Sequence, residues 1–424
     1  MLKLNVIIVG AGISGLSTAI ALQRKGHIVT VLERHPGYQA LGGPVSIGAN
    51  GSRVLIEYGM EEILARKNAR LNSPMLMRRY DNGEVLSSRA ASQSKTDYGF
   101  PSWTFARYRL QETLAQTAAE RGVKILFEKT VVSVDLENPS VTLKDGEVFE
   151  TDLIVGADGI RSAVRDAVGG STVKSFSPMT AYNIDIPRSI LKEDSSLSHL
   201  LVQSNYWLGP QQIVVALNMP DLDDRFNVCL ICEGRSGTEG EWYELGDLNK
   251  VRTQYAGFDP VVRRLLEVAE PENLDQNTAE PLIIQCYIWR LSEMPHMEKW
   301  VSDSGRVVII GDAVHAMLPY TGNGANQCIE DSASLAICLE KARTFSDLPK
   351  VLKAFEQIRK PRIEWFIRKG REFLRCGICP MAMSKSKETG FSGGGHGQLR
   401  ISRNGTMEAD EERQTERKLM DMLA

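Results

Sequence analysis

Three regularly spaced glycines near the start of the chain constrain its fold more than any other feature. They are Gly10, Gly12 and Gly15. Before them lies the short β-branched run Asn5–Val9, and after them comes a stretch with helical spacing, Ser14–Lys25. In this context the first glycine permits a tight turn, the second lets a bound group reach the backbone, and the third allows close helix packing. The pattern predicts a buried strand, a glycine turn and a helix whose N-terminus can bind phosphate.

The same uncharged stretch, residues 4–22, has the length of a signal peptide or a membrane span. Its glycines interrupt the apolar run, however, and a basic last turn before Gly26 is the ordinary end of a soluble helix. A second apolar run, Ile28–Leu32, ends at Glu33. We therefore predict no membrane span and a βαβ unit that binds a dinucleotide, with Glu33 accepting hydrogen bonds from the adenosine ribose.

The composition limits the classes of function. The chain has 424 residues, with 50 Lys and Arg against 53 Asp and Glu, and its net charge of −3 argues against a nucleic-acid-binding protein. A hydrophobic content of 42% is typical of a globular chain. The odd count of 7 cysteines favours reduced thiols and predicts a cytoplasmic protein. We expect no metal site: Cys229 and Cys232 lie in a predicted strand, where their spacing puts the sulfurs on opposite faces, and Cys376 and Cys379 follow a helix with no His cluster nearby.

Two further motifs follow buried strands later in the chain. The strands are Asp152–Val155 and Arg306–Ile310, and the motifs are Gly156–Ser162 and Gly311–Pro319. Together with the glycine motif, and in this order, they resemble the paired motifs of the group A flavoprotein aromatic monooxygenases, the salicylate-hydroxylase-like enzymes that depend on FAD. Arg107, three residues before Leu110, and the segment Tyr320–Gln327 match that family as well. The resemblance covers about residues 3–375.

The resemblance implies an α/β fold. It has a split Rossmann-like FAD-binding domain with a parallel sheet, and a substrate domain of mostly antiparallel sheet with flanking helices. Alternating strands and a helix predicted over Glu241–Tyr255 agree with such a second domain. In chain order we predict the first part of the FAD-binding domain, the substrate domain, the second part of the FAD-binding domain with C-terminal helices, and a polar linker and tail. These segments are 1–171, 172–289, 290–380 and 381–424.

The resemblance also implies which residues contact FAD. Asp312 would bind the ribityl chain, Arg107 a phosphate or the ribose, and backbone N–H groups from Gly322 onward the isoalloxazine edge, where negative charge develops. Helix capping is the alternative for Asp158 and Asp312, and a surface ion pair is the alternative for Arg107. The predicted cofactor-binding residues are Gly10, Gly12, Gly15, Glu33, Arg34, Ser46, Arg107, Asp158, Asp312, Pro319, Gly322, Gly324, Ala325 and Asn326.

The substrate contacts depart from the family pattern. Where relatives commonly have Ala-Tyr-Arg, this chain has Asn183 as the third residue, and Leu217 stands near the position of a substrate-facing tyrosine. Arg188 and Tyr206 are the candidates to replace the missing catalytic groups. A surface or core role is the alternative for each of them.

The function implied by the resemblance is hydroxylation of a phenolic or enolizable aromatic substrate. NAD(P)H would reduce the flavin and O₂ would form a C4a-hydroperoxyflavin that the substrate attacks. Both a hydroxybenzoate-like acid and an aromatic polyketide of secondary metabolism fit. No second glycine motif follows a strand, so NAD(P)H is expected to bind without a fold of its own. The alternatives are a flavin-dependent dehydrogenase or reductase without oxygen insertion, and a binding module without turnover. A homodimer is possible.

Overall fold

Two large sheets, one parallel and one mostly antiparallel, organise the protein. The computed structural model describes residues 2–38, 43–67, 74–90, 92–169, 175–219, 224–234, 244–269 and 284–377. The predicted tail, 381–424, and the predicted boundary after residue 171 lie outside the described residues. Within the described ranges, no helix is both long enough and apolar enough to cross a membrane.

The strands are numbered in chain order. They are β1 Asn5–Val9, β2 Ile28–Leu32, β3 Pro44–Ile47, β4 Met75–Arg79, β5 Val85–Arg89, β6 Trp103–Ala106, β7 Lys124–Leu126, β8 Val131–Asp135, β9 Ser140–Leu143, β10 Val148–Glu150, β11 Leu153–Gly156, β12 Ser175–Pro187, β13 Ser204–Gly209, β14 Gln212–Met219, β15 Arg225–Glu233, β16 Glu244–Leu245, β17 Cys286–Glu293 and β18 Val307–Ile309.

The helices are numbered in the same way. They are α1 Ile13–Arg24, α2 Ala49–Glu57, α3 Glu61–Arg66, α4 Gln93–Tyr98, α5 Arg107–Glu120, α6 Ala163–Gly169, α7 Arg188–Glu193, α8 Leu248–Gln254, α9 Pro260–Val268, α10 Asp312–His315, α11 Gly324–Glu340 and α12 Leu348–Gly377. Short 3₁₀ turns span Gly159–Arg161, Ser198–Val202, Pro319–Thr321 and Phe345–Asp347.

The parallel sheet has five strands in the order β18, β11, β1, β2, β7. Its central strand, β1, is buried from Val6 to Val9, and α1 is buried from Ile13 to Leu22 and contacts α5 and α11. Strands buried on both faces need a continuous apolar run, which explains the sequence of this segment. Because parallel strands end at one edge, the segments that follow β1, β2, β11 and β18 lie next to one another.

The antiparallel sheet has eight strands in the order β16, β17, β12, β15, β14, β13, β4, β5. Side chains alternate between its faces: Cys232 lies in the apolar cluster formed with α8 and α9, whereas Cys229 packs on the opposite face. We call that opposite face the inner face. Its residues are Ala181, Asn183 and Asp185 in β12, Asn227, Cys229 and Ile231 in β15, Ile213, Val215 and Leu217 in β14, and Tyr206 and Leu208 in β13.

Three details differ from the sequence predictions. Strands β4 and β5, from the segment expected in the first domain, belong to the antiparallel sheet because β4 pairs in parallel with β13. The boundary expected after residue 289 falls inside β17, which pairs with β12 as far as Glu293. Of the helix expected over Glu241–Tyr255, residues 241–243 lie outside the described residues, Glu244–Leu245 form β16, and α8 begins after Asp247, whose side chain caps it by accepting from two backbone N–H groups.

Candidate functional site

The turn after β1 is too tight for a side chain at two of its three glycines. Gly10 has φ of +103°, and a Cβ there would lie 2.5 Å from the carbonyl oxygen of Ala157. A Cβ on Gly15 would overlap the carbonyl oxygen of Gly10, because α1 packs directly on the turn. A Cβ on Gly12, by contrast, would meet nothing within 4 Å. The fold alone does not need glycine at position 12, so the open space there suits a group that approaches the backbone.

The start of α1 supplies hydrogen-bond donors to that space. The first bond of the helix runs from the N–H of Leu16 to the carbonyl of Gly12, over 3.0 Å, so the three preceding N–H groups have no helical acceptor. The hydroxyl of Ser14 is also buried and has no partner among the described residues. Free N–H groups, the positive end of a helix dipole and an unpartnered hydroxyl together fit a pyrophosphate.

Glu33, at the end of β2, has a structural role that sequence reasoning did not anticipate. Its carboxylate accepts hydrogen bonds from the backbone N–H groups of Ala11, at 2.8 Å, and His35, at 2.9 Å. Glu33 therefore ties β2 to the glycine turn, and each oxygen keeps acceptor capacity for a ribose hydroxyl. The next residue, Arg34, is exposed, and its Nε donates to His35.

Helix α5 also meets the glycine turn. Gln111 donates from Nε2 to the carbonyl oxygen of Ala11 at 2.7 Å. Arg107 begins the helix, is exposed, and lies four residues before Gln111, so both side chains share one helix face. The exposed guanidinium of Arg107 is thus directed towards the side of the protein on which the turn lies.

The motif after β18 is held by buried charges. Gly311 adopts φ of +61° and donates its N–H to Asp331 of α11 at 2.9 Å. His315 Nε2 lies 2.6 Å from the same carboxylate oxygen, and Arg359 of α12 donates to the other one. Burial opposes ionisation of Asp331, but the charges of His315 and Arg359 outweigh it and lower the pKa of this carboxyl group. The network positions α10, which begins with Asp312.

Asp312 is half-buried at this point, next to the glycine turn. The capping alternative does not apply to it, because Gly311 occupies the N-cap position and no side chain caps α10. The carboxylate of Asp312 is therefore free of a capping role.

Glu330 of α11 is the second carboxylate of the network. It is fully buried and pairs with Arg359 and Arg362, while Asn50 of α2 donates to it at 2.6 Å. Burial alone would raise the pKa of Glu330, but the two guanidinium groups lower it to about 2. Asn50 comes from the glycine-rich segment after β2, so the network joins three separate parts of the chain.

The segment Pro319–Asn326 forms a turn and the start of α11. Pro319 is exposed at the start of a 3₁₀ turn, and Gly322 ends that turn with φ of +61°. The N–H groups of Gly324, Ala325 and Asn326 are the first three of α11 and donate to no backbone carbonyl among the described residues. Free N–H groups at the start of a long helix suit an anionic group, so these residues stay candidates for contact with the cofactor.

The side chain of Asn326 forms hydrogen bonds within the protein, unlike its backbone N–H group. Its Oδ1 accepts from the N–H of Gly48 at 2.8 Å, and its Nδ2 donates to the carbonyl of Ser46 at 3.1 Å. The hydroxyl of Ser46 lies 3.3 Å from that of Thr104. Both side chains therefore bind protein groups, and Asn326 anchors the segment after β3 to the start of α11.

Asp158 is the residue for which sequence reasoning left two roles open, and the structure gives it the capping role. Its carboxylate accepts from the hydroxyl of Ser162 and from the N–H groups of Ala163, at 2.8 Å, and Val164, at 3.3 Å. A carboxylate with three such donors caps the start of α6.

The two proposed catalytic side chains lie in different places. Tyr206 is half-buried on the inner face, against Leu217 and Met219. Arg188 begins α7, at the end of β12, and forms an ion pair with Asp224. This ion pair lies at the end of the sheet, and α7 packs on the face opposite the inner face. The structure therefore does not bring Arg188 to the inner face.

The segment Pro319–Asn326 contacts the inner face through the side chain of Tyr320. Its ring packs against the cluster of Met179, Ala181 and Ile231, and also against the cluster of Leu208 and Ile213. The hydroxyl of Tyr320 is buried without a partner among the described residues, and burial raises its pKa. The turn at Pro319 and the inner face therefore adjoin.

Sequence reasoning missed two groups of residues. One is the buried network of Arg359, Glu330 and Asp331. The other is a pair of polar residues on the inner face, Asp185 and Asn227, which lie beside Asn183, the residue noted from the sequence only as a departure from the family pattern. Alternation of polar and apolar residues in β12 is a signal, but it normally indicates a strand with one solvated face. Only the packing of the first domain on that face reveals these side chains as candidates for a site.

Comparisons with known proteins agree with this geometry. A family described as FAD binding domain matches residues 3–369. The chain belongs to this family. It is 31% identical to FAD-dependent monooxygenase OpS4 of Beauveria bassiana (strain ARSEF 2860) over 369 residues, which cover 85% of this chain and 82% of that protein. The motifs were thus interpreted correctly: the chain is related to the FAD-dependent monooxygenases, and FAD is the cofactor of its nucleotide site.

Solved structures share the fold. CtdE in complex with FAD and a substrate superposes with a TM-score of 0.80 at 22% identity, covering 99% of this chain and all of the other. A substrate complex of salicylate hydroxylase gives a TM-score of 0.73 at 21% identity, with 91% and 92% of the two chains covered. The predicted fold class, a parallel FAD-binding sheet with a second, mostly antiparallel sheet, is confirmed.

Proposed function

We propose that the protein uses NAD(P)H and O₂ to hydroxylate a phenolic or enolizable aromatic compound. The observation that supports this most strongly is the contact of Tyr320 with the inner face, next to the turn at Pro319. This contact brings a mostly apolar wall beside the segment expected to bind the flavin ring. Large apolar walls with a few polar groups are typical of sites for small aromatic ligands.

The residues around the glycine turn would hold FAD. The open backbone at Gly12, the donors at the start of α1 and the guanidinium of Arg107 suit its phosphates, and Asp312 suits the hydroxyl groups of its ribityl chain. The free N–H groups at the start of α11 would stabilise negative charge at the ring edge. When bound, FAD supplies the redox chemistry, passing electrons from NAD(P)H to O₂ and one oxygen atom to the substrate.

The inner face would exclude water and hold the substrate ring. Its apolar members include Ala181, Ile231 and Leu217, all of them buried, with Trp289 packed beside them. A dry wall protects a reactive oxygen donor from hydrolysis and strengthens each polar contact made to the substrate. Tyr206, on the same face, could hydrogen-bond a substrate phenol.

The nicotinamide cofactor would bind transiently. The sequence has one glycine motif of the dinucleotide-binding type after a strand, and FAD accounts for it. We therefore expect slow flavin reduction by NAD(P)H alone and faster reduction when a substrate is present, because substrate binding repositions the ring.

The decisive experiment is a panel of phenols, hydroxybenzoates and aromatic polyketides tested for NAD(P)H oxidation and for incorporation of ¹⁸O from ¹⁸O₂. The expected result is substrate-stimulated oxidation with one labelled oxygen in the product. An unlabelled product would move the protein to the dehydrogenases, and no oxidation with any compound would favour a binding module. A Gly12→Val variant, which we expect to lack FAD, is the matched control.

A further inference from the structure

Three polar side chains interrupt the mostly apolar inner face at one place. They are Asn183 and Asp185 in β12 and Asn227 in β15, which we call the polar cluster. Asn227 Nδ2 donates to Asn183 Oδ1 at 3.0 Å and to Asp185 Oδ1 at 2.7 Å. Asp185 stands directly opposite Asn227 in the sheet register, and Asn183 is its diagonal neighbour.

The polar cluster has hydrogen-bond acceptors that the protein does not use. Asn227 is 1% exposed, and its Oδ1 has no partner among the described residues. Exchanging the oxygen and nitrogen of the Asn227 amide would not satisfy its oxygen, because that oxygen would then face the oxygens of Asn183 and Asp185. Asp185 is half-buried, and within the described ranges its Oδ2 receives no hydrogen bond. A buried acceptor without a donor, such as Asn227 Oδ1, is costly, and a donor group of a ligand would remove that cost.

The position of the polar cluster places it at the proposed substrate site. Asn227 is two residues from Cys229 in β15, about 7 Å along the strand, and Cys229 packs against the same apolar cluster as Tyr320. On the other side, a Cβ on Gly43, just before β3, would lie 3.1 Å from Asn183 Oδ1. The cluster therefore lies between two segments of the FAD-binding part of the chain.

The chemistry of the cluster points to a specific kind of ligand group. Asp185 and Asn227 offer acceptors side by side, and burial raises the pKa of Asp185, with Asn227 and Arg225 acting in the opposite direction. A carboxylate in such surroundings is a stronger acceptor than an exposed one. A substrate carboxylate would be repelled here, whereas a hydrogen-bond donor would satisfy the free acceptors.

We propose, building on the function proposed above, that Asp185 and Asn227 accept a hydrogen bond from an N–H or O–H group conjugated to the aromatic ring of the substrate. This hydrogen bond orients the ring against the inner face. It also increases the electron density of the ring, because a donor bound to a carboxylate releases charge into the π-system. The substrate class is thus a phenol, or a heteroaromatic compound with a ring N–H.

The test is a comparison of matched ligands that differ only in the donor. The pairs are 2-naphthol with 2-methoxynaphthalene, and indole with 1-methylindole. Dissociation constants are measured on the oxidised holoenzyme from the perturbation of the flavin absorbance spectrum. Wild-type protein should bind the donor of each pair at least about tenfold more tightly, because the methylated partner leaves buried acceptors unpaired.

Variants assign that preference to the polar cluster. Asp185→Asn and Asn227→Ala should reduce the ratio to within about twofold while FAD content stays at that of wild type. The control is Asn218→Ala in β14: the oxygen of Asn218 also lacks a partner, but its Nδ2 donates to the carbonyl of Leu201, at the 3₁₀ turn Ser198–Val202, away from the inner face. This variant should keep the wild-type ratio.

Three results would overturn the proposal. They are an unchanged ratio in both cluster variants, equal binding of the methylated ligands by wild type, and no binding of either donor. Because the measurement needs no turnover, it is separate from the test of the proposed function. A protein that prefers donors but yields an unlabelled product would contradict only the monooxygenase reaction.

Discussion

In the proposed function, the glycine turn after β1 and the inner face of the antiparallel sheet serve one site by different means. At the turn, the backbone provides the binding groups: Gly10 and Gly15 leave no room for a Cβ, and the start of α1 presents free N–H groups. At the inner face, the binding groups are side chains, such as those of Tyr206 and Asn227, which project from a regular sheet. A backbone site tolerates few sequences and is conspicuous as a motif, whereas a side-chain site can change with the substrate.

The largest effect is expected at Gly12. Valine there should abolish FAD binding, because its side chain fills the space where the pyrophosphate approaches, while the apoprotein still folds because nothing lies within 4 Å of the new Cβ. FAD content and the melting temperature of the apoprotein measure the two effects. Gly15→Val is the contrasting variant and should not fold, since its Cβ overlaps Gly10. Stoichiometric FAD in a folded Gly12→Val protein would refute the assignment.

Arg359→Met should destabilise the protein by about 3–5 kcal/mol, because it leaves the buried carboxylates of Glu330 and Asp331 without their shared partner. Urea unfolding of the holoprotein measures the loss. The control is Arg371→Met, which removes an exposed ion pair with Glu293 and should cost less than about 1 kcal/mol. Similar losses in the two variants would show that the network does not hold the site.

Asp312→Ala should weaken FAD binding by about 1.5–3 kcal/mol, roughly 10- to 150-fold in Kd, through loss of hydrogen bonds to a carboxylate. Because Asp312 does not cap α10, the stability of the apoprotein should change little. Titration of the apoprotein with FAD gives the affinity, and Asp312→Asn should retain part of it. An unchanged Kd would show that the ribityl chain binds elsewhere.

The smallest effect is expected at Arg188, which sequence reasoning had considered catalytic. Arg188→Ala removes an ion pair with Asp224 at the end of the sheet, so unfolding stability should fall by less than about 1 kcal/mol. The rate of substrate-stimulated NAD(P)H oxidation should stay within about twofold of wild type. Tyr206→Phe, on the inner face, should lower that rate more. The reverse order would restore Arg188 as the catalytic candidate.

Local sequence patterns predicted the elements around the cofactor well. The strands β1 and β2 have their predicted bounds, and α1 begins and ends one residue earlier than the predicted Ser14–Lys25. These elements follow from short-range signals: apolar runs, glycine spacing and helix ends. The roles of Glu33 and Asp158 were harder to predict, since a carboxylate near a motif can bind either a ligand or the backbone that shapes the motif.

The sequence by itself determined the motifs, the strands and helices beside them and, through the family resemblance that the motifs carry, the cofactor, because each motif consists of residues close together in the chain. Only the tertiary structure decided which side chains face the site. Register puts Asp185 opposite Asn227 from strands some 40 residues apart, and α12 brings Arg359 to Glu330 and Asp331. Contacts of this kind depend on how strands pair and helices pack over long separations, and no local periodicity encodes them.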